Sequence, residues 1–138
     1  MKRYLVVFVL LYPTVSIADD LHELLVHKSP TCGCCVSWLS NLKSEGLTAE
    51  GKDVQYLEQV KIQFNIAPKY RSYHTAVTSN NKVFEGHVPA KFIKRFLSED
   101  HPDAIGLSVP GMPLGSPGME ISPSAFFSRF RNTQETLL

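Results

Sequence analysis

The 138-residue chain is poor in cysteine, has a single tryptophan and carries no excess of either charge, with 14 basic against 13 acidic side chains. A net charge of +1 without any basic run removes the electrostatic reason to expect nucleic acid or anionic lipid as a partner. Nowhere does an apolar run approach the ~20 residues that span a bilayer. The run from Tyr4 to Tyr12 stops well short. No internal repeat is visible. The three cysteines are odd in number and lie within four consecutive positions, so they cannot form a disulfide framework joining distant segments.

What is present begins with a targeting signal. Met1-Lys2-Arg3 is a short positive start, the apolar run follows, and Ser16-Ile17-Ala18 places small residues before a cleavage point after Ala18. Residues 1–18 read as a signal peptide and 19–138 as one domain, with no membrane attachment after cleavage. Cleavage removes Lys2 and Arg3 and no acidic residue, leaving 12 basic against 13 acidic side chains. About 120 residues bury a moderate core without staples. The cysteines therefore serve reactivity or metal, in an oxidising compartment where exposed thiol pairs tend to close.

Leu24-Leu25-Val26 predicts a buried strand, and His27 to Thr31 a loop. Cys35, Trp38, Leu39 and Leu42 then repeat at helical spacing, with Gly46 as the stop, so this helix begins at the cysteines. Leu47 to Val54 predicts a weaker strand, and Tyr56, Leu57, Val60 and Phe64 a second helical stripe closed before Pro68. Thr75–Thr78 and Lys82–Phe84 flank Ser79-Asn80-Asn81 as a hairpin. Pro89 suits the first position of a helix carrying Phe92, Ile93, Phe96 and Leu97. Strand, helix, strand, helix, hairpin, helix is the thioredoxin-like order: an α/β fold with a mixed central sheet and flanking helices. Gly106 to Glu120 holds four Gly and three Pro with Met112 and Met119, and predicts an ordered Gly/Pro/Met-rich C-terminal loop rather than a helix or ladder. Residues 125–130 predict a late strand, and the last eight a frayed end.

Cys32-Gly33-Cys34-Cys35 is a CxxC pair with a third thiol inserted. A helix N-terminus favours thiolate over thiol. Cys32 and Cys35 lie one turn apart, Cys34 rims the same opening, and Gly33 lets the backbone come close. Converging thiolates select soft metals: Cu(I), zinc or iron–sulfur clusters. A dithiol oxidoreductase, with Cys32 as nucleophile and Cys35 as resolving thiol, is the alternative, although a third thiol would scramble its redox state. A structural zinc module is a third reading, and the motif alone does not make the chain an enzyme. His74 and His87 flank the hairpin on the expected side of the thiols and are candidate metal ligands or ligand supports. Met112 and Met119 either anchor the loop to the core or offer thioethers as soft ligands. Lys28 reads as a positive charge beside the cluster and Trp38 as core. His27 reads as a strand-end residue, His22 and His101 as surface.

Four blocks carry a family resemblance: Lys28–Cys35, His74–Val77, Glu85–Ala90 and Gly106–Glu120. In these, in this order, the chain resembles the CopG-type periplasmic copper-resistance proteins, once labelled only by their unknown function. The resemblance implies a thioredoxin-like fold holding a thiolate-bridged cluster of several copper ions, a role in copper resistance, and dealings with other periplasmic copper-handling proteins. It implies Cu(I) ligation by Cys32, Cys34 and Cys35 and makes His74 and His87 participants. Many relatives carry a further cysteine where this chain has Tyr73, so a fourth sulfur cannot come from there.

Overall fold

A computed structural model describes residues 23–111 and 113–119 and, for the backbone alone, 136–137. The signal peptide, Met112 and the strand expected at 125–130 lie outside these residues. The elements run β1 (Glu23–Lys28), α1 (Gly33–Ser44), β2 (Thr48–Asp53), α2 (Leu57–Gln63), a 3-10 turn (Pro68–Tyr70), β3 (His74–Thr78), β4 (Val83–Glu85), α3 (Ala90–Ser98), β5 (Gly106–Ser108) and β6 (Thr136–Leu137). The strands form one mixed sheet in the order β2-β1-β3-β4-β5-β6. β1 pairs parallel with β2 and antiparallel with β3, and β4 pairs antiparallel with β3 and parallel with β5. The expected α/β class, with a mixed sheet and flanking helices, is what the chain adopts. Among the described residues no helix is long and apolar enough to cross a membrane.

Register sorts the side chains into rows. Val26, Ala76, Phe84 and Leu107 stand opposite one another across four strands and join the core formed with α1 and α3. One residue along, His27, Thr75, Glu85 and Ser108 form a second row, which by the pleat faces the side covered by α2. α1 buries Cys35, Trp38, Leu39 and Leu42, the four positions its period predicts. It ends at Gly46, whose φ of +82° closes the C-terminus without the penalty a Cβ would bring. α3 buries Ala90, Ile93 and Phe96 behind Pro89, which is the cap residue rather than the first helical one. Phe96 meets Phe84 edge-on, ring centroids 5.7 Å apart.

Three expectations are corrected. In α2 the buried residue is Lys61, which the predicted stripe omitted, and Tyr56 is 71% exposed. Lysine is buried here because an acceptor set waits for it, which periodicity cannot reveal. Gly106–Ser108, read as loop, is a strand: at Gly106 a Cβ would stand 1.6 Å from the Val83 carbonyl oxygen, so glycine is what lets β5 dock on β4. Of the last eight residues, Thr136 and Leu137 pair with β5 instead of fraying.

Candidate metal centre

The cysteines sit where β1 hands over to α1. Ser29 starts the turn, its carbonyl accepting the Cys32 N–H at 3.1 Å and its hydroxyl lying 3.1 Å from that of Thr31. Cys32 is the N-cap residue of α1. Cys35 is buried, and Cys32 and Cys34 are half-buried. Cys32 and Cys35 form a disulfide with their Cα atoms 5.3 Å apart, and the Cys34 sulfur lies 3.6 Å from that of Cys32. The three sulfurs are therefore gathered as expected, but two are joined covalently and not present as thiolates. Gly33 has no neighbour within 4 Å of where a Cβ would stand. No close backbone approach requires it, in contrast to the expectation, and the mouth of the cluster stays open beside it.

Behind the cysteines lie two fully buried histidines. His74 opens β3 and His87 follows β4, and the hairpin brings their rings to 5.0 Å between centroids. One ligand atom from each of Cys35, His74 and His87 lies within 4.8 Å of the others, and the same limit holds for Cys32, Cys34 and Cys35. Cys35 belongs to both groups. Trp38, one turn further along α1, packs on His74 with the rings tilted by 39° and centroids 4.3 Å apart, and stands 6.1 Å from His87. Its indole N–H donates to the Val88 carbonyl at 3.0 Å, which locks the ring plane against both imidazoles.

The two imidazoles differ in their surroundings. His87 Nδ1 lies 2.8 Å from the Pro117 carbonyl oxygen. A carbonyl only accepts, so Nδ1 carries the hydrogen, and Nε2 is the nitrogen with a lone pair to give. Neither ring nitrogen of His74 has a hydrogen-bond partner among the described residues. Its pKa is pushed down to about 3, first by burial, then by His87 and by the Lys61 charge, against a small opposing pull from the Gly86 carbonyl. His74 is therefore neutral at physiological pH. A buried polar side chain left unsatisfied costs about 1–3 kcal/mol, and the placement of this one beside the Cys35 sulfur and a second imidazole matches, once the disulfide is reduced, the donor set of a soft metal ion.

The Gly/Pro loop closes the remaining side. Gly118 has φ +83°, and a Cβ on it would stand 2.6 Å from the Trp38 backbone nitrogen, so the loop lies directly on the first turns of α1. Ser116 holds the loop in shape, its hydroxyl donating to the Pro113 carbonyl at 2.7 Å. Met119, half-buried, donates its backbone N–H to Ser116 at 2.8 Å, one residue beyond the contact with α1.

The other candidates lie elsewhere. His27 points to the opposite face, its ring 6.5 Å from that of Phe64. His101 stacks on Phe96 at 4.3 Å. Lys28 pairs with Asp53 at 2.5 Å. Residues the sequence reading passed over now matter. Trp38 is a wall of the site as well as core, the Pro117 carbonyl orients His87, and Glu85 and Lys61 meet on the α2 face of the sheet, across it from the histidines. The Trp38 role had a signal, since it lies one turn beyond Cys35; the others depend on distant residues and had none.

Comparison with known proteins fits this geometry. The family model described as "Protein of unknown function, DUF411" matches residues 70–119, which hold both histidines and the covering loop but not the cysteines. Among curated proteins none matches. Two solved structures, "Copper resistance protein copG- Form 1" and its Form 2, each superpose with a TM-score of 0.67 at 36% identity, covering 72% of this chain and 78% of theirs. With that identity over that share of both chains, the chain belongs to the CopG family of copper resistance proteins.

Proposed function

We propose that this chain is a periplasmic copper(I)-binding protein that acts in copper resistance by sequestering, transferring or redox-handling the metal. The observation that carries the reading is the shared position of Cys35, which ligand distance joins both to the thiol cluster and to a buried pair of neutral imidazoles. Thiolates suit Cu(I), and imidazoles suit both copper oxidation states. Cys32, Cys34, Cys35, His74 and His87 are the proposed ligands, with Met112 and Met119 as thioethers at the covering loop. Tyr73 is exposed and brings no sulfur, so cysteine supplies three sulfurs here and no more.

The disulfide gives the site a redox threshold. Exchange with an external dithiol, which is itself oxidised to a disulfide, supplies the two electrons and two protons that convert the Cys32–Cys35 bond into two thiols, and each thiol that ligates then loses its proton to solvent. The reduced form is the one that takes copper. Strand order β2-β1-β3-β4, with the cysteines opening α1, supports a thioredoxin-like frame for this chemistry. Residues 1–18, read as a cleaved signal, support the periplasmic assignment.

The test is anaerobic titration of the reduced protein with Cu(I) against a chromogenic chelator, with wild type beside Cys34→Ser. Wild type is expected to compete for copper, and the variant to bind less of it. Undiminished copper content in Cys34→Ser, or a reduced wild type that takes none, would sink the reading.

A further inference from the structure

One cluster of charged side chains has no part in the site as described. Lys61 of α2 and Glu85 of β4 are both buried and form an ion pair inside the protein. Lys61 Nζ also donates to the Thr75 hydroxyl at 3.0 Å. That hydroxyl donates to Glu85 Oε2 at 2.7 Å, and the Ser72 backbone N–H donates to Glu85 Oε1 at 2.6 Å. Every polar atom of the group is engaged, across three separate elements.

We infer that Glu85, held by Lys61, is the positioning residue for the histidine half of the metal centre, fixing the two strand ends from which His74 and His87 project. Ser72 and Thr75 flank His74 at the start of β3, and Glu85 stands two residues before His87 at the end of β4. Thr75 and Glu85 are direct partners in the β3–β4 register, so the carboxylate closes a side-chain bridge over that rung of the ladder. Beyond it the backbone turns sharply. Gly86 has φ +78° and is packed so tightly that a Cβ would meet the Val109 carbonyl at 2.6 Å, and its N–H donates to the His74 carbonyl at 3.1 Å. Small changes in register at Glu85 are thus passed directly to both imidazoles.

Stability does not account for the pair. Replacing a buried ion pair by apolar residues of similar volume is often neutral or stabilising, because the desolvation of both charges is avoided. What apolar residues cannot reproduce is a directed link from one carboxylate to Ser72 and Thr75. The inference rests on the copper reading for its main readout, and its test includes a second that does not.

Two double variants separate the directed links from the charges. Lys61→Met with Glu85→Leu keeps the volume and loses both. Lys61→Met with Glu85→Gln loses the charges only: the amide oxygen still accepts from Ser72, and the amide N–H donates to the Thr75 hydroxyl vacated by lysine. The Met/Leu protein is expected to fold with wild-type circular dichroism yet bind Cu(I) about 10–100-fold more weakly, as loss of support around a ligand does, and the Met/Gln protein to return to within about threefold of wild type. In metal-free protein, imidazole ¹⁵N shifts should show His87 as a single Nδ1–H tautomer in wild type and Met/Gln, and as an averaged one in Met/Leu. A folded Met/Leu protein with wild-type copper affinity and unchanged ¹⁵N shifts overturns the inference. If wild type binds no Cu(I), the copper reading fails and the ¹⁵N pattern alone decides this one. Should Met/Leu not fold, Thr75→Val, which removes only the bridging hydroxyl, takes its place: weaker binding or an averaged tautomer upholds the inference, and wild-type values for both overturn it.

Discussion

The two halves of the proposed metal centre are built in opposite ways. The cysteine half comes from four consecutive residues at one helix start, is partly open, and carries a disulfide between Cys32 and Cys35 beside the Cys34 sulfur. The histidine half comes from positions thirteen residues apart, is fully buried, and is packed against an indole and a loop carbonyl, with a buried carboxylate bonded to the neighbouring Ser72 and Thr75 on the other face of the sheet. The first is cheap to form and easy to change; the second is costly to form and hard to move. A site assembled this way lets the sulfurs open, close and exchange against a fixed wall, so that reducing and reoxidising the disulfide need not rebuild the pocket.

Substituting the residue common to both halves is the hardest blow to that contrast. Cys35→Ser should weaken Cu(I) binding by about a hundredfold or more, the share of one ligand in a multidentate soft-metal site, whereas Cys34→Ser spares the histidine half and costs less; chelator competition measures both. Equal losses would mean that Cys35 joins nothing. Next comes the wall. Trp38→Ala should destabilise the metal-free protein by about 3–5 kcal/mol in chemical denaturation, since a fully buried indole leaves a cavity.

The histidine half also predicts an acid response. The pKa of His74 is about 3 in the folded protein and near its ordinary 6.5 in the unfolded chain. Between these values the unfolded chain binds a proton that the native one does not, so this contribution is complete above pH 6.5 and is lost as pH falls toward 3. From pH 7 to 4.5 the loss amounts to about 2–3 kcal/mol. Denaturation of metal-free wild type and His74→Leu at the two pH values checks it, and an unchanged difference between them would remove His74 as the source. The smallest expected effect is at the cover. Gly118→Ala forces a side chain against the α1 backbone at positive φ, costing about 1–3 kcal/mol, and should shift the Pro117 carbonyl from His87, weakening Cu(I) binding about tenfold.

Legibility in the sequence followed the same division. The stripe of α1 and the hairpin could be read because each is a local period repeated by neighbours, and Cys35 to Leu42 fell on the buried face as spaced. The α2 stripe failed where Lys61 took the buried place, because a lysine is buried only when its partners are already there, and Glu85 is 24 residues away. From sequence alone β5 looks like loop, because a glycine in front of Gly/Pro-rich sequence suggests a turn. Only the carbonyl of Val83 crowding Gly106 shows that the glycine is needed for strand docking.

By itself, then, the order of residues determined that three sulfurs gather at a helix start, that the fold is α/β, and that a glycine-rich loop follows, since each depends on contacts within a turn or two of chain. Tertiary structure alone decided that Cys35 faces two histidines, that Trp38 packs on them and Pro117 orients one, and that a buried ion pair stands across the sheet behind them. Those relations join segments far apart in the chain, where only the packed sheet and helices set the distance and exclude the water that would otherwise satisfy each polar group.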